Sequence, residues 1–431
     1  MNKRIILLLL VAISCLAFLA GRFTASAPTY QLSVETGDPL AAGFEEFIRA
    51  QQEAIALYRA SRFFESEQER AEAYRGLLYA LVGSIKAAAL QSHDFPRFMR
   101  AVDWTSKRGL DNPDNNYYVA MISDQGNYRI IGNRGTTSDL VFQLLVGQPG
   151  VRDAGTSTNV SVLYGQDLIV DGMGNFEIIV SRDDPGEGVN WLANGDGAET
   201  LLVRYSHSDW NVETDSPLYI EHIGGEGDHA PPLAEQAMAD ALRNAAVTLY
   251  DSTATWLQYA EKSWTLMPRN NISPARLSQG GLVGQYSAFG SWQLDDEEAL
   301  ILSTAPSAAS YQGIELGNLW FVSLNYESHT SSLTLDQMQC SADNRCYTVI
   351  SHRDPQIQNW LDTEGHGRGL IFMRWHGLTG ELTENQQPAA KVVPFEELYA
   401  HLPDDIGVFS AEQRAQQIRQ RRAAVQRRFG G

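Results

Sequence analysis

Two stretches decide how this chain is read: "FEIIVSRDDPGEGVNWLANGDGAETLLVRY", Phe176–Tyr205, and "YTVISHRDPQIQNWLDTEGHGRGLIFMRW", Tyr347–Trp375. Ser181 aligns with Ser351 and Asp184-Pro185 with Asp354-Pro355. Asn190-Trp191-Leu192 aligns with Asn359-Trp360-Leu361, and Arg204-Tyr205 with Arg374-Trp375. The spacing from serine to arginine is the same in both, which points to a duplicated unit. Each copy reads as strand, Asp-Pro turn, Asn-Trp-Leu corner, glycine-rich loop, then a strand ending in arginine and an aromatic. Proline presets the turn, and tryptophan buries enough apolar area to pin a loop onto a sheet. Asparagine beside it satisfies loose backbone groups. The arginine is expected to hold the aspartate of its own motif in a bidentate pair. Asn190, Trp191, Arg204, Asn359, Trp360 and Arg374 are thus read as architecture.

The second copy is also dense in His352, Asp354, Asp362, Glu364, His366 and His376, which raises the question of a metal or acid-base site. The histidines are what the copies do not share: His352 aligns with Arg182, His376 with Ser206, and His366 falls in the variable loop. Neither helical pairing nor strand alternation gathers them, so no metal site is expected.

Outward from the repeat, the chain alternates in texture. Residues 38–100 carry apolar positions at three- and four-residue spacing, as do residues 232–264, and both are expected to be helical. Short β-branched and aromatic runs with Asp-Gly and Gly-Asn turns fill residues 101–222 and 280–392. The order helix, strand, helix, strand predicts an α+β chain of tandem duplicated β-sandwich (jelly-roll-like) domains with flanking helices.

The chain carries a formal charge of −19, yet Arg414, Arg419, Arg421, Arg422, Arg427 and Arg428 crowd its last segment against Glu412. The body is therefore more acidic than the total, which argues against nucleic acid as its partner. Residues 393–431 form a basic tail with a thin apolar face, Ile418, Val425 and Phe429. Contact with anionic lipid or an acidic partner is one reading of it, a solvated helix the other.

At the other end, Lys3 and Arg4 precede an apolar run over residues 5–21, near the lower limit for a membrane span. Residues 1–27 are expected to anchor the chain in the cytoplasmic membrane with the bulk in the periplasm. The alternative is a cleaved signal ending at the small-residue site Ala25–Ala27, which Pro28 disfavours. Besides Cys15 in the apolar run, the cysteines are Cys340 and Cys346, flanking a polar turn. In an exported protein they are expected to form a disulfide across a β-hairpin.

Three segments then carry a likeness: Asp111–Thr136, "DNPDNNYYVAMISDQGNYRIIGNRGT"; Asn190–Thr214, "NWLANGDGAETLLVRYSHSDWNVET"; and "NWLDTEGHGRGLIFMRW" in the second copy. In these the chain resembles the bacterial domain of unknown function 1214 family. The resemblance implies β-sandwich or jelly-roll-type domains with flanking helices, often exported, with no agreed activity.

No P-loop, G-x-S-x-G elbow, H-E-x-x-H or dinucleotide fingerprint is present, and no cofactor is expected. Two stretches suit ligand chemistry. "DNPDNNYY" sets Asp114, Asn115, Asn116, Tyr117 and Tyr118 together, a mix of acid, amide and aromatic that fits a sugar; an Asx-turn connection is the plainer reading. "HSDWNVE" offers Asp209, Trp210 and Glu213 without a counterpart in the second copy, or else an exit strand pinned by a buried tryptophan. The expected function is binding of a polysaccharide or lipid-like envelope ligand between the two units. The alternatives are a metal-independent glycan hydrolase using Asp209, Glu213 and Asp114 as its acids, and a structural partner in an envelope complex.

Overall fold

The computed structural model describes residues 26–151, 158–278 and 281–429; the apolar run over residues 5–21 lies outside them. It is a mixed α+β structure with several antiparallel sheets. Among the described residues no helix is long and apolar enough to cross a membrane.

Helix α1 spans Pro39–Ala60, started by proline in its first turn and by Asp38, whose carboxylate accepts from the Leu40 and Ala41 amides. Helix α2 spans Glu67–Ser84 and opens on a Ser66–Glu69 capping box. Helix α3, Glu235–Leu266, lies along α1. Their crossing is close because Gly43 faces α3: a Cβ there would sit 2.7 Å from the Ala239 carbonyl oxygen. Ala50 and Ala54 bury against Ala246, Val247 and Leu249.

The strands fall into two sets. The first is a five-stranded sheet in the order β1 (Met99–Val102), β2 (Asn115–Met121), β8 (Ala198–Ser206), β4 (Asp139–Val146), β5 (Thr158–Tyr164). Its companion runs β7 (Asn190–Ala193), β6 (Asn175–Ser181), β3 (Tyr128–Asn133), β9 (Tyr219–His222). Ile130, Phe142, Leu144, Ile178, Leu201, Val203 and Tyr205 fill the core between them.

The second set repeats this order. One sheet runs β10 (Asn271–Ile272), β12 (Tyr286–Gln293), β18 (Arg368–His376), β14 (Tyr311–Gly317), β15 (Ser332–Thr334), with β11 (Arg276–Leu277) also on β12. The other runs β17 (Trp360–Asp362), β16 (Cys346–Ser351), β13 (Glu298–Thr304), β19 (Ala389–Pro394). Trp292, Leu300, Ile314, Ile350, Ile371, Met373 and Trp375 pack between them.

The shared motif makes the same contacts twice. Trp191 Nε1 donates to the Ser181 carbonyl at 3.0 Å and Trp360 Nε1 to the Ser351 carbonyl at 3.2 Å. Asn190 donates to the Ile169 and Glu177 carbonyls, and Asn359 to those of Gln339 and Tyr347. Both corners hold a short parallel pair, β6 with β7 and β16 with β17.

The arginines depart from expectation. Arg374 pairs with Glu315, and Asp354 is held by Arg414 at 3.0 Å. Alternation on β18 explains this: Ile371, Met373 and Trp375 face the core, so Arg374 points out of the opposite face, away from the Asp-Pro turn.

Cys340 and Cys346 form a disulfide. Of the expected hairpin, the Cys340 arm is reduced to a single bridge pair, because a 3-10 turn at Leu335–Gln337 precedes it. The basic tail contains α4, Ala411–Phe429, docked along one face with Arg419, Arg422 and Arg427 exposed on the other. It binds through Arg414, Arg421 and Arg428, all buried and seven residues apart. Arg421 caps the Tyr326 and Ser332 carbonyls, and Arg428 the Pro113 carbonyl.

Candidate functional site

The β1–β2–β8–β4–β5 sheet and the β12–β18–β14 sheet meet along the faces opposite their cores. His376 Nδ1 lies 3.3 Å from Ser206 Oγ and 3.4 Å from the Asp139 carboxylate. His376 and Ser206 are aligned positions, and they touch each other. That is the relation expected of like units packed about an approximate two-fold axis.

A cavity of about 240 Å³ opens on this seam. Period-two alternation along β2 and β8 delivers Asn115, Tyr117 and Val119, with Leu202 and Arg204, to one wall. The second unit supplies the aligned residues: Gln285 for Asn115, Phe289 for Val119, Phe372 for Leu202 and Arg374 for Arg204. Phe289 and Phe372 stack at a centroid separation of 3.8 Å. Helix α3 closes the side with Trp256 and Tyr259, and Trp256 stacks on Phe321.

The two arginines are placed alike and partnered differently. Arg374 donates to Glu315 and, at 2.6 Å, to the Leu110 carbonyl. Burial opposes both charges and lifts the Glu315 carboxyl well above its usual range, while Glu315 holds Arg374 up. The guanidinium keeps its proton and donates to the Glu315 carboxyl. For Arg204, burial lowers the pKa to about 10; the Arg374 charge adds to the effect, while Tyr117 and Asp139 oppose it. Its buried Nη1 has no hydrogen-bond partner among the described residues, and the Trp256 Nε1 on the same cavity is in the same condition. Buried polar groups are ordinarily bonded, so orphaned donors on a cavity wall point to something that belongs there.

Register explains the difference. On β14, Glu315 stands opposite Phe372, and Arg374 one step along. On β4, Gln143 stands opposite Leu202, and Arg204 one step along. Gln143 is therefore the counterpart of Glu315, a neutral amide where the other copy has a carboxylate.

The residues singled out from sequence are dispersed. Asn115 and Tyr117 reach the cavity wall. Asn116 and Tyr118 point to the opposite side and donate to Asp215 at 2.9 and 2.7 Å. Asp114 is buried, accepting from Tyr311 at 2.6 Å and from Trp210 Nε1 at 2.9 Å, with burial pushing its carboxyl up. Trp210 is buried between the Arg421 and Arg428 guanidiniums. Glu213 ties its own loop, accepting from the Ser138 hydroxyl at 2.6 Å and the Ser208 amide at 2.9 Å. Asp209 and Trp210 line a separate cleft of about 380 Å³ beneath α4, where glutamines dominate. Asp114, Asp209 and Glu213 do not share a cavity. In the histidine-rich stretch, His366 bonds Glu72 at 2.9 Å and His352 bonds Thr363 at 2.8 Å. No group of three or more ligands that could hold a metal occurs among the described residues.

What sequence reasoning missed is the outward face of β8, β12 and β18, with Leu202, Phe289 and Phe372, and the helical contribution of Trp256. The repeat offset aligns Leu202 with Phe372 and Val119 with Phe289; nothing local marks Trp256.

No protein-family model and no curated protein matches this chain. Its fold is shared with an uncharacterized protein from Burkholderia cenocepacia, at a TM-score of 0.75 and 24% identity over 83% of this chain and 98% of that one. The VPA0106 protein of Vibrio parahaemolyticus aligns over 80% of this chain and 100% of its own, at 12% identity and a TM-score of 0.44.

Proposed function

We propose that this chain is an exported, envelope-associated binding protein that holds a small lipid-like ligand in the cavity between its two units. In this reading the chain is a tandem duplicated β-sandwich of jelly-roll-like domains, akin to the domain of unknown function 1214 family, and the binding site lies on its internal two-fold axis. The observation that carries it is the convergence of aligned residues, Val119 with Phe289, Leu202 with Phe372 and Arg204 with Arg374, on one cavity. An apolar wall with a few convergent polar groups is the usual make-up of a small-molecule site.

The same wall favours a lipid-like occupant over a polysaccharide, since Val119, Leu202, Leu282, Phe289, Phe321 and Phe372 offer a sugar few hydrogen bonds. A glycan hydrolase needs two carboxylates facing one pocket, and Asp114 and Glu213 are both engaged elsewhere.

The test is native mass spectrometry of the full chain released from nanodiscs. One small molecule retained per wild-type chain, and lost when Leu202→Trp fills the cavity, is the expected result. No retained mass, or equal retention in the filled variant, would remove the proposal.

A further inference from the structure

We infer that the ligand's head is a single carboxylate seated at Arg204, filling the place that Gln143 leaves without a counter-charge. This deepens the binding proposal above and rests on it. The two copies supply the argument. In the second, Arg374 is satisfied by Glu315 from the neighbouring strand. In the first, the register puts Gln143 at that position, and its amide nitrogen is turned to the Gly281 carbonyl at 3.1 Å. Arg204 keeps the guanidinium and feels the Asp139 charge, but no acid hydrogen-bonds its buried Nη1.

The wall carries Arg108, Arg204 and Arg374 with Asp111, while Glu315 meets Arg374 and the Asp139 charge acts on Arg204. With so much of the positive charge already answered, a singly charged head suits the site better than a doubly charged phosphate monoester. A planar carboxylate also suits the guanidinium fork, as Glu315 does in the other copy. Beyond the head, Leu202 and the stacked Phe289–Phe372 pair receive an apolar body. The class is a small carboxylic amphiphile, such as a medium-chain acyl or aromatic acid.

The experiment compares octanoate with octanamide, its neutral isostere, by equilibrium dialysis against the full chain in nanodiscs, with protein-free nanodiscs subtracted. Octanoate is expected to bind about tenfold or more tightly, the usual size of a hydrogen bond to a buried charge. That preference should vanish in Gln143→Glu, which restores the internal acid. It should vanish as well in Arg204→Gln, which removes the guanidinium. Equal wild-type affinities, with both ligands lost in Leu202→Trp, would overturn the carboxylate and leave the cavity reading standing. Octyl phosphate binding more than about tenfold above octanoate would overturn the single charge. No binding of any of them would overturn both inferences.

Discussion

Arg204 and Arg374 occupy the same position in two copies of one motif, and only Arg374 hydrogen-bonds an acid. The second unit has turned its arginine into architecture, closing the seam through Glu315 and the Leu110 carbonyl. The first keeps the cation and substitutes an amide for the acid. One exchange between equivalent strands, Glu315 against Gln143, separates a structural arginine from a candidate binding one.

That contrast breaks most sharply by truncation. Arg374→Met leaves the Glu315 carboxyl buried and unpaired and should cost roughly 3–5 kcal/mol. Arg204→Met removes a cation that no acid hydrogen-bonds and should change stability by less than about 1 kcal/mol, in either direction. Urea midpoints of the two variants check this, and equal losses would erase the distinction. The tryptophan corners sharpen it next. Trp360→Ala should cost about 3–5 kcal/mol, and the half-buried Trp191→Ala clearly less, read from the same melts. Replacing both Cys340 and Cys346 by serine should cost about 2 kcal/mol for so short a loop. A midpoint unchanged under reducing conditions would contradict that.

The smallest effect separates two histidines of the second copy. Burial disfavours the charged form of both. For His366 the Glu72 hydrogen bond and charge win, raising its pKa. Its contribution to stability is complete below pH ~6.5 and fades as pH rises through the raised value. Glu72 is opposed by its own burial but held low chiefly by His366, and its contribution is lost as pH falls below about 4.5. For His376 burial wins and lowers the pKa, so stability falls as pH drops below about 6.5. In melting temperature against pH, His376→Gln should flatten the acid limb and His366→Gln the alkaline one, each by about 1 kcal/mol.

The motif was legible in sequence because it is local. Serine, Asp-Pro, Asn-Trp and glycines within thirty-odd residues specify their own turns, and Trp191 and Trp360 make the same bond to the same aligned carbonyl. The arginine pairing was misread for the opposite reason: its partner sits on a neighbouring strand, and strand alternation, not sequence distance, chooses it. The basic tail misled through composition. Six arginines suggest a solvated or membrane-facing helix, yet three of them are seven residues apart and cap carbonyls on both units. In "DNPDNNYY" period two divides the candidates, since Asn115 and Tyr117 reach the cavity while Asn116 and Tyr118 turn to Asp215. Trp256 arrives from a helix far away in sequence, and only the folded chain brings it there.

Where the ligand sits is tested most directly by a crystal structure of the chain with an ω-bromo carboxylic acid. The expected result is the carboxylate on Arg204, with the bromine's anomalous peak against Phe289 and Phe372. A peak in the cleft beneath α4, or none inside the chain, would contradict it.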